Sequence, residues 1–149
     1  MSNEYNDWIA DKIQDEKAIV EKYPFLCIRD IDGNIDTKSK FPMIPLEIPD
    51  GWHRLFFSMC NEIKPILKKE GKLYNFYFIQ VKEKYGDLRC YYCGDAPKEV
   101  EDIIHMYENV AHYFCVDCGN VAILRADGKR EPFCKECRDK RLGKIERFL

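Results

Sequence analysis

The sequence predicts an α+β fold in which helices pack on a small antiparallel sheet, closed at its C-terminal end by a compact unit built on four cysteines. Three observations predict it. Helical apolar stripes recur around residues 52–67 and 100–111. An aromatic and β-branched run between them, Leu73–Tyr92, is interrupted by Tyr85-Gly86-Asp87. Two Cys-x-x-Cys pairs, Cys115/Cys118 and Cys134/Cys137, flank a short polar stretch.

The elements follow in chain order. Residues from about Asn6 to Glu21 read as a helix, with Trp8, Ile9, Ile13, Ile19 and Val20 as an imperfect stripe. Pro24 ends it. From there to Asp50, four prolines and Asp32-Gly33-Asn34 predict loop, with short edge strands around Phe25–Arg29 and Met43–Ile48. Such a long loop is either functional or conceals structure. Asp50 is placed to cap the second helix, which carries Trp52, Leu55, Phe56, Met59, Cys60, Ile63, Ile66 and Leu67. Pro65 is expected to kink or end it near Lys64, and Gly71 to stop what remains.

In the strand that follows, strict alternation puts Leu73, Tyr77, Ile79 and Val81 on one face and Tyr74, Phe76 and Phe78 on the other. A strand apolar on both faces is expected to be central. The turn at Tyr85-Gly86-Asp87 returns Leu88–Tyr92 antiparallel. Asp95 can cap a third helix, with Pro97 in its first turn and a stripe of Val100, Ile103, Ile104, Tyr107, Val110 and Ala111. The division expected is an α+β domain over 1–113 and a zinc ribbon over 114–149.

The ribbon reading rests on coordination chemistry. Zinc takes four tetrahedral ligands, and two residues between cysteines let both sulfurs reach one ion over a backbone knuckle. Fifteen residues separate Cys118 from Cys134, within the spacing of four-cysteine zinc sites, and Asp127-Gly128 suits the hairpin between them. Four thiolates close the coordination shell, so the expected cofactor is one structural Zn2+ held by Cys115, Cys118, Cys134 and Cys137, not a catalytic ion with an open position.

The chain has 149 residues and a formal charge of -2, which excludes the strongly basic footprint of a non-specific nucleic-acid binder. The first residues lack the basic and apolar regions of a secretory signal, and no apolar run is long enough to span a membrane. A cytoplasmic, reducing compartment is therefore expected, where close cysteine pairs favour metal over disulfide. Within the C-terminal unit, Arg125–Arg147 holds nine bases against five acids, a modest positive patch.

Other candidates carry weaker patterns. Cys90 and Cys93 are either ordinary strand cysteines, a second metal pair joined by His105 or His112, or a redox pair. Trp52, His53 and Arg54 open a helix, where free N–H groups can meet an anion. Lys82, Lys84 and Arg89 flank the hairpin turn with Tyr85 and Tyr91 nearby, a mixture of bases and rings that can hold nucleotides. Cys27 and Cys60 read as small core residues. No nucleophile–base pair, paired carboxylates, phosphate-binding glycine loop or dinucleotide fingerprint is present.

Over roughly residues 50–137 the chain resembles a family of small, mostly uncharacterised phage and prophage proteins with C-terminal zinc ribbons. The resemblance is carried by Gly51-Trp52, by Gln80-Val-Lys-Glu-Lys-Tyr-Gly-Asp-Leu-Arg-Cys-Tyr-Tyr92 and by Cys115-Val-Asp-Cys118-Gly119. Members usually lack a pair where Cys90 and Cys93 stand. The resemblance implies a phage-type accessory protein in the host cytoplasm and no particular reaction. Three functions are consistent with these patterns. The first is a non-enzymatic protein binding or sequestering an anionic ligand, nucleic acid or nucleotide. The second is an interaction protein that blocks a host or defence protein through an apolar patch, with the 34–50 loop its expected place. The third is a metal-dependent enzyme using Cys90/Cys93.

Overall fold

The computed structural model describes residues 3–122, 124–125 and 131–146. Helix α1 (Asn3–Lys22) leads into a 3-10 turn at Pro24–Leu26, then strand β1 (Leu46–Glu47). A second 3-10 turn, Asp50–Trp52, opens helix α2 (His53–Lys69). Strands β2 (Phe76–Lys84) and β3 (Asp87–Gly94) form a hairpin, and helix α3 (Lys98–Val110) follows. The C-terminal unit holds two-residue strands β4 (Leu124–Arg125) and β5 (Pro132–Phe133) and helix α4 (Lys135–Glu146).

The α+β class predicted from the sequence is the class observed, with one difference in the sheet. Its order is β1-β2-β3, and β1 runs parallel to β2, pairing Leu46 with Val81 and Glu47 with Lys82. The sheet is therefore mixed, and β2 is its central strand, as its two apolar faces require. The third strand comes from the proline-rich segment. There Ile44 N–H donates to the Leu26 carbonyl and Ile28 N–H to that of Pro42, so 26–28 and 42–44 lie side by side. Tyr23, Phe25, Leu26, Ile44 and Ile48 are buried, so the segment conceals structure. Glu16 of α1 clamps it by accepting the Met43 N–H at 3.2 Å.

Strict alternation along β2 does not hold. The pairing with β3 slips between Phe78 and Gln80, a bulge that leaves Ile79 unpaired and exposed. The extra residue reverses the phase, so Val81 joins Phe76 and Phe78 on the buried face. Those rings pack edge to face with Phe25 and Phe56, centroids 5.2–6.1 Å apart. Phe56, Met59, Cys60, Ile63 and Leu67 of α2, and Val100 and Ile104 of α3, complete this core.

Three helix ends differ in detail from expectation. Pro65 does not end helix α2, which continues through it to Lys69 just before Gly71, with Ile63 and Leu67 on either side fully buried. The lost hydrogen bond is outweighed by that packing. Asp50 makes no side-chain cap, and the residue preceding α3 is Pro97 rather than Asp95.

Candidate metal centre and open sheet face

The sulfurs of Cys115, Cys118, Cys134 and Cys137 all lie within 4.8 Å of one another. The Cys118–Cys134 separation is 3.7 Å. A tetrahedron of metal–sulfur bonds near 2.3 Å has sulfur–sulfur edges of about 3.8 Å. The donor set thus fits one tetrahedral metal ion with all four positions filled by protein. The first knuckle is shaped by Gly119, whose φ of +80° only glycine adopts without strain, and by its N–H donating to the Cys115 carbonyl at 2.9 Å. Asn120 N–H reaches Cys118 Sγ at 3.5 Å, and Cys137 N–H reaches Cys134 Sγ at 3.4 Å. Burial pushes the Cys115 thiol up, but N–H donors of Cys134, Cys118 and Asp117 outweigh it and bring it down to about 7. Cys137 is raised by its contact with the Cys134 sulfur. Sulfurs crowded this closely favour a shared cation. Among the described residues, no other cluster of three or more metal-ligating side chains is this close.

The centre is tied to the rest of the fold by Gly51-Trp52. Gly51 N–H donates to the Val116 carbonyl at 2.9 Å, and Trp52 Nε1–H donates to the Phe114 carbonyl at 2.9 Å. Cys115, Val116, Phe133 and Cys134 share the buried cluster that contains Trp52 and Phe56. On the other side, Arg141 of α4 forms a two-pronged pair with Asp117 at 2.6 and 2.8 Å while its guanidinium lies 4.5 Å from the Phe133 ring centre. The Asp127-Gly128 turn expected between the pairs lies outside the described residues, as do Lys129 and Arg130.

The remaining site candidates separate into three groups. Trp52 is fully buried, so it is an anchor of the fold and does not reach a ligand, contrary to the expectation from its place at a helix start. Cys90 and Cys93, three apart on a regular strand, point to opposite faces. Cys90 is buried on the core side, where burial holds its thiol well above the usual range, and Cys93 is exposed on the other. The two do not converge on one ion or one disulfide. His105 is engaged instead by Glu108 at 3.0 Å, and His112 faces Asp87 at 3.8 Å. Arg54, exposed beside the half-buried His53, lines a cleft of about 380 Å³ with Asp50, Ser58, Asp117 and Asn120. Asp117 there is held by Arg141, which leaves Asp50 as the carboxylate beside Arg54.

The third group is brought together. The registers Gln80–Tyr91, Lys82–Arg89 and Lys84–Asp87 put Lys82, Lys84, Arg89 and Tyr91 on the sheet face turned away from the core. Lys82 Nζ stands 5.8 Å from the Tyr91 ring centre, and Lys84 Nζ 5.7 Å from that of Tyr85. Lys82 and Arg89 are directly opposed like charges, and neither they nor Lys84 form an ion pair among the described residues. The apolar residues of the 34–50 loop divide: Ile44 and Ile48 are buried, and Ile35 is the large apolar side chain there that stands exposed.

Comparison of the chain with known protein families, with curated proteins and with solved structures finds no match. No helix in the described residues is long and apolar enough to cross a membrane.

Proposed function

We propose that this chain is a non-enzymatic binding protein for an anionic ligand of the nucleotide or nucleic-acid class, with one structural zinc ion at the four cysteines. The observation that carries the ligand is the Lys82–Arg89 cross-strand pair on the open face. Like charges directly opposed across a sheet destabilise it. Glu47 is the cross-strand neighbour of Lys82 on the β1 side and accepts from Gln80 Nε2 at 3.4 Å, but among the described residues no carboxylate lies within ion-pair distance of Lys82 or Arg89. A phosphate bridging the two would turn a cost into an attraction. The zinc assignment follows from a closed set of four thiolates, which suits zinc and leaves no position for substrate. Iron would also accept four thiolates, and visible absorbance separates the two.

Two measurements test this reading. Metal analysis of the purified chain is expected to give one zinc per chain. Binding of a fluorescent nucleotide or oligonucleotide is expected to weaken as salt rises and to be lost in a Lys82→Glu/Arg89→Glu variant that keeps its melting temperature. Salt-insensitive binding, or an unaffected double variant, removes the reading.

A further inference from the structure

The hairpin turn holds a residue that folding alone does not account for. Lys84 and Asp87 close a two-residue loop in which Tyr85 has φ +55° and Gly86 φ +85°. Positive φ at both positions is the type I′ turn, which favours Asn, Asp or Gly at its first position. Tyr85 is the one non-glycine residue with positive φ among those described. Its ring is not buried in compensation, being 67% exposed. A strained, exposed aromatic at a loop tip points to work done by the ring. Tyr91 is likewise 41% exposed on the outer face. Each ring has a lysine beside it, Lys84 for Tyr85 and Lys82 for Tyr91.

Resting on the anion-binding reading above, we propose that the ligand is a single-stranded nucleic acid, whose unpaired bases stack on Tyr85 and Tyr91 while Lys82, Lys84 and Arg89 hold its phosphates. Tyr91 pairs with Gln80, five positions before Tyr85, so the two rings are spaced roughly 15 Å along the hairpin. That spacing exceeds one base and suits separate nucleotides of a strand. A duplex hides its base faces and offers the rings nothing, whereas unpaired bases expose them. Carboxylates also stand around the hairpin and keep their charge, so the phosphates would lie along the basic side chains, and each carboxylate already has a donor or a histidine beside it. Glu83 accepts the Gly86 N–H at 3.0 Å, Glu47 is met by Gln80, and Asp87 faces His112.

The experiment is fluorescence anisotropy with labelled oligo(dT) and oligo(U) of about ten nucleotides, a duplex of equal length, and tripolyphosphate as competitor. The single strands are expected to bind more tightly than the duplex, with a log–log salt slope of about -2 for three phosphate contacts. Tyr91→Leu and Tyr85→Asn are each expected to weaken the single strand about fivefold or more and to leave tripolyphosphate binding unchanged. Tyr85→Asn is also expected to raise the melting temperature, which shows that its loss of binding is not a loss of folding. Equal affinity for duplex and single strand, or tyrosine variants that bind like the parent, overturns the single-strand proposal and leaves the anion reading standing. Failure of the parent to bind any of the polyanions overturns both.

Discussion

Gly119 and Gly51 meet backbone to backbone. A methyl group on Gly119 would stand 2.6 Å from the Gly51 carbonyl oxygen, and one on Gly51 would stand 2.2 Å from that of Cys115. Neither neighbour is a side chain that can turn aside. The metal knuckle and the start of α2 are thus seated as closely as backbones permit, and the Gly51 N–H to Val116 carbonyl bond depends on that approach.

Gly51→Ala is accordingly expected to force the knuckle off its seat, at a cost of about 3 kcal/mol. Urea melts measure the loss. Faster removal of the metal by a chelator is expected beside it, because the seat also positions Cys115.

Trp52→Phe keeps a ring in the core but leaves the Phe114 carbonyl without its indole donor. The expected loss is about 2 kcal/mol, from the half-buried carbonyl left without its donor and the smaller ring together. Thermal or urea unfolding reads it. Because Trp52 is fully buried, oligonucleotide affinity at matched folded fraction is expected to stay unchanged.

Metal removal should reach beyond the C-terminal unit. Cys134→Ser is expected to abolish stoichiometric zinc, and binding and folding are coupled in such sites. Since Cys115, Val116 and Phe133 share the core with Trp52, the whole chain is expected to melt earlier in one transition. Two separated transitions, with the first domain unmoved, would contradict this coupling.

The Cys90/Cys93 pair predicts unequal thiols. Cys93 is expected to react with a thiol reagent in the native protein while Cys90 and Cys60 stay protected until unfolding. Their burial has a pH consequence. Burial raises both Cys60 and Cys90 above the ordinary 9.0, so the folded state keeps protons that the unfolded state releases. Their contribution is fully present below pH 9.0 and is lost as pH rises. Tyr107, raised to about 12 first by burial and then by its bond to Glu62, acts in the same sense above pH 10.0. Melting temperatures are expected to fall from pH 9 upward, with the fall reduced in Cys60→Ala/Cys90→Ala.

Features built from neighbours in the chain were legible in the sequence. The apolar stripes of α2 and α3, the Tyr85-Gly86 turn and the two cysteine pairs each depend on a period or spacing of a few residues, which local geometry dictates. The metal ligands were readable because coordination demands both a residue type and a count. In the proline-rich segment the short edge strand expected around Met43–Ile48 is present as β1, but its parallel pairing with β2, across more than thirty residues of chain, is announced by no local pattern. The bulge at Ile79 was hidden for another reason. Alternation specifies a period of two but carries no mark where an extra residue resets its phase.

By itself, then, the sequence determined the elements, the four sulfur donors and the mixture of bases and rings at the hairpin. Tertiary structure decided which of them serve together. It buried Trp52 as the seat of the metal knuckle, decided that Cys90 and not Cys93 faces the core, and gathered Lys82, Arg89 and Tyr91 on one open face. The physical reason is that a side chain's direction is set by strand phase and by what packs on each face. Both follow from contacts between distant parts of the chain, whereas ligand type and helical period are written in adjacent residues.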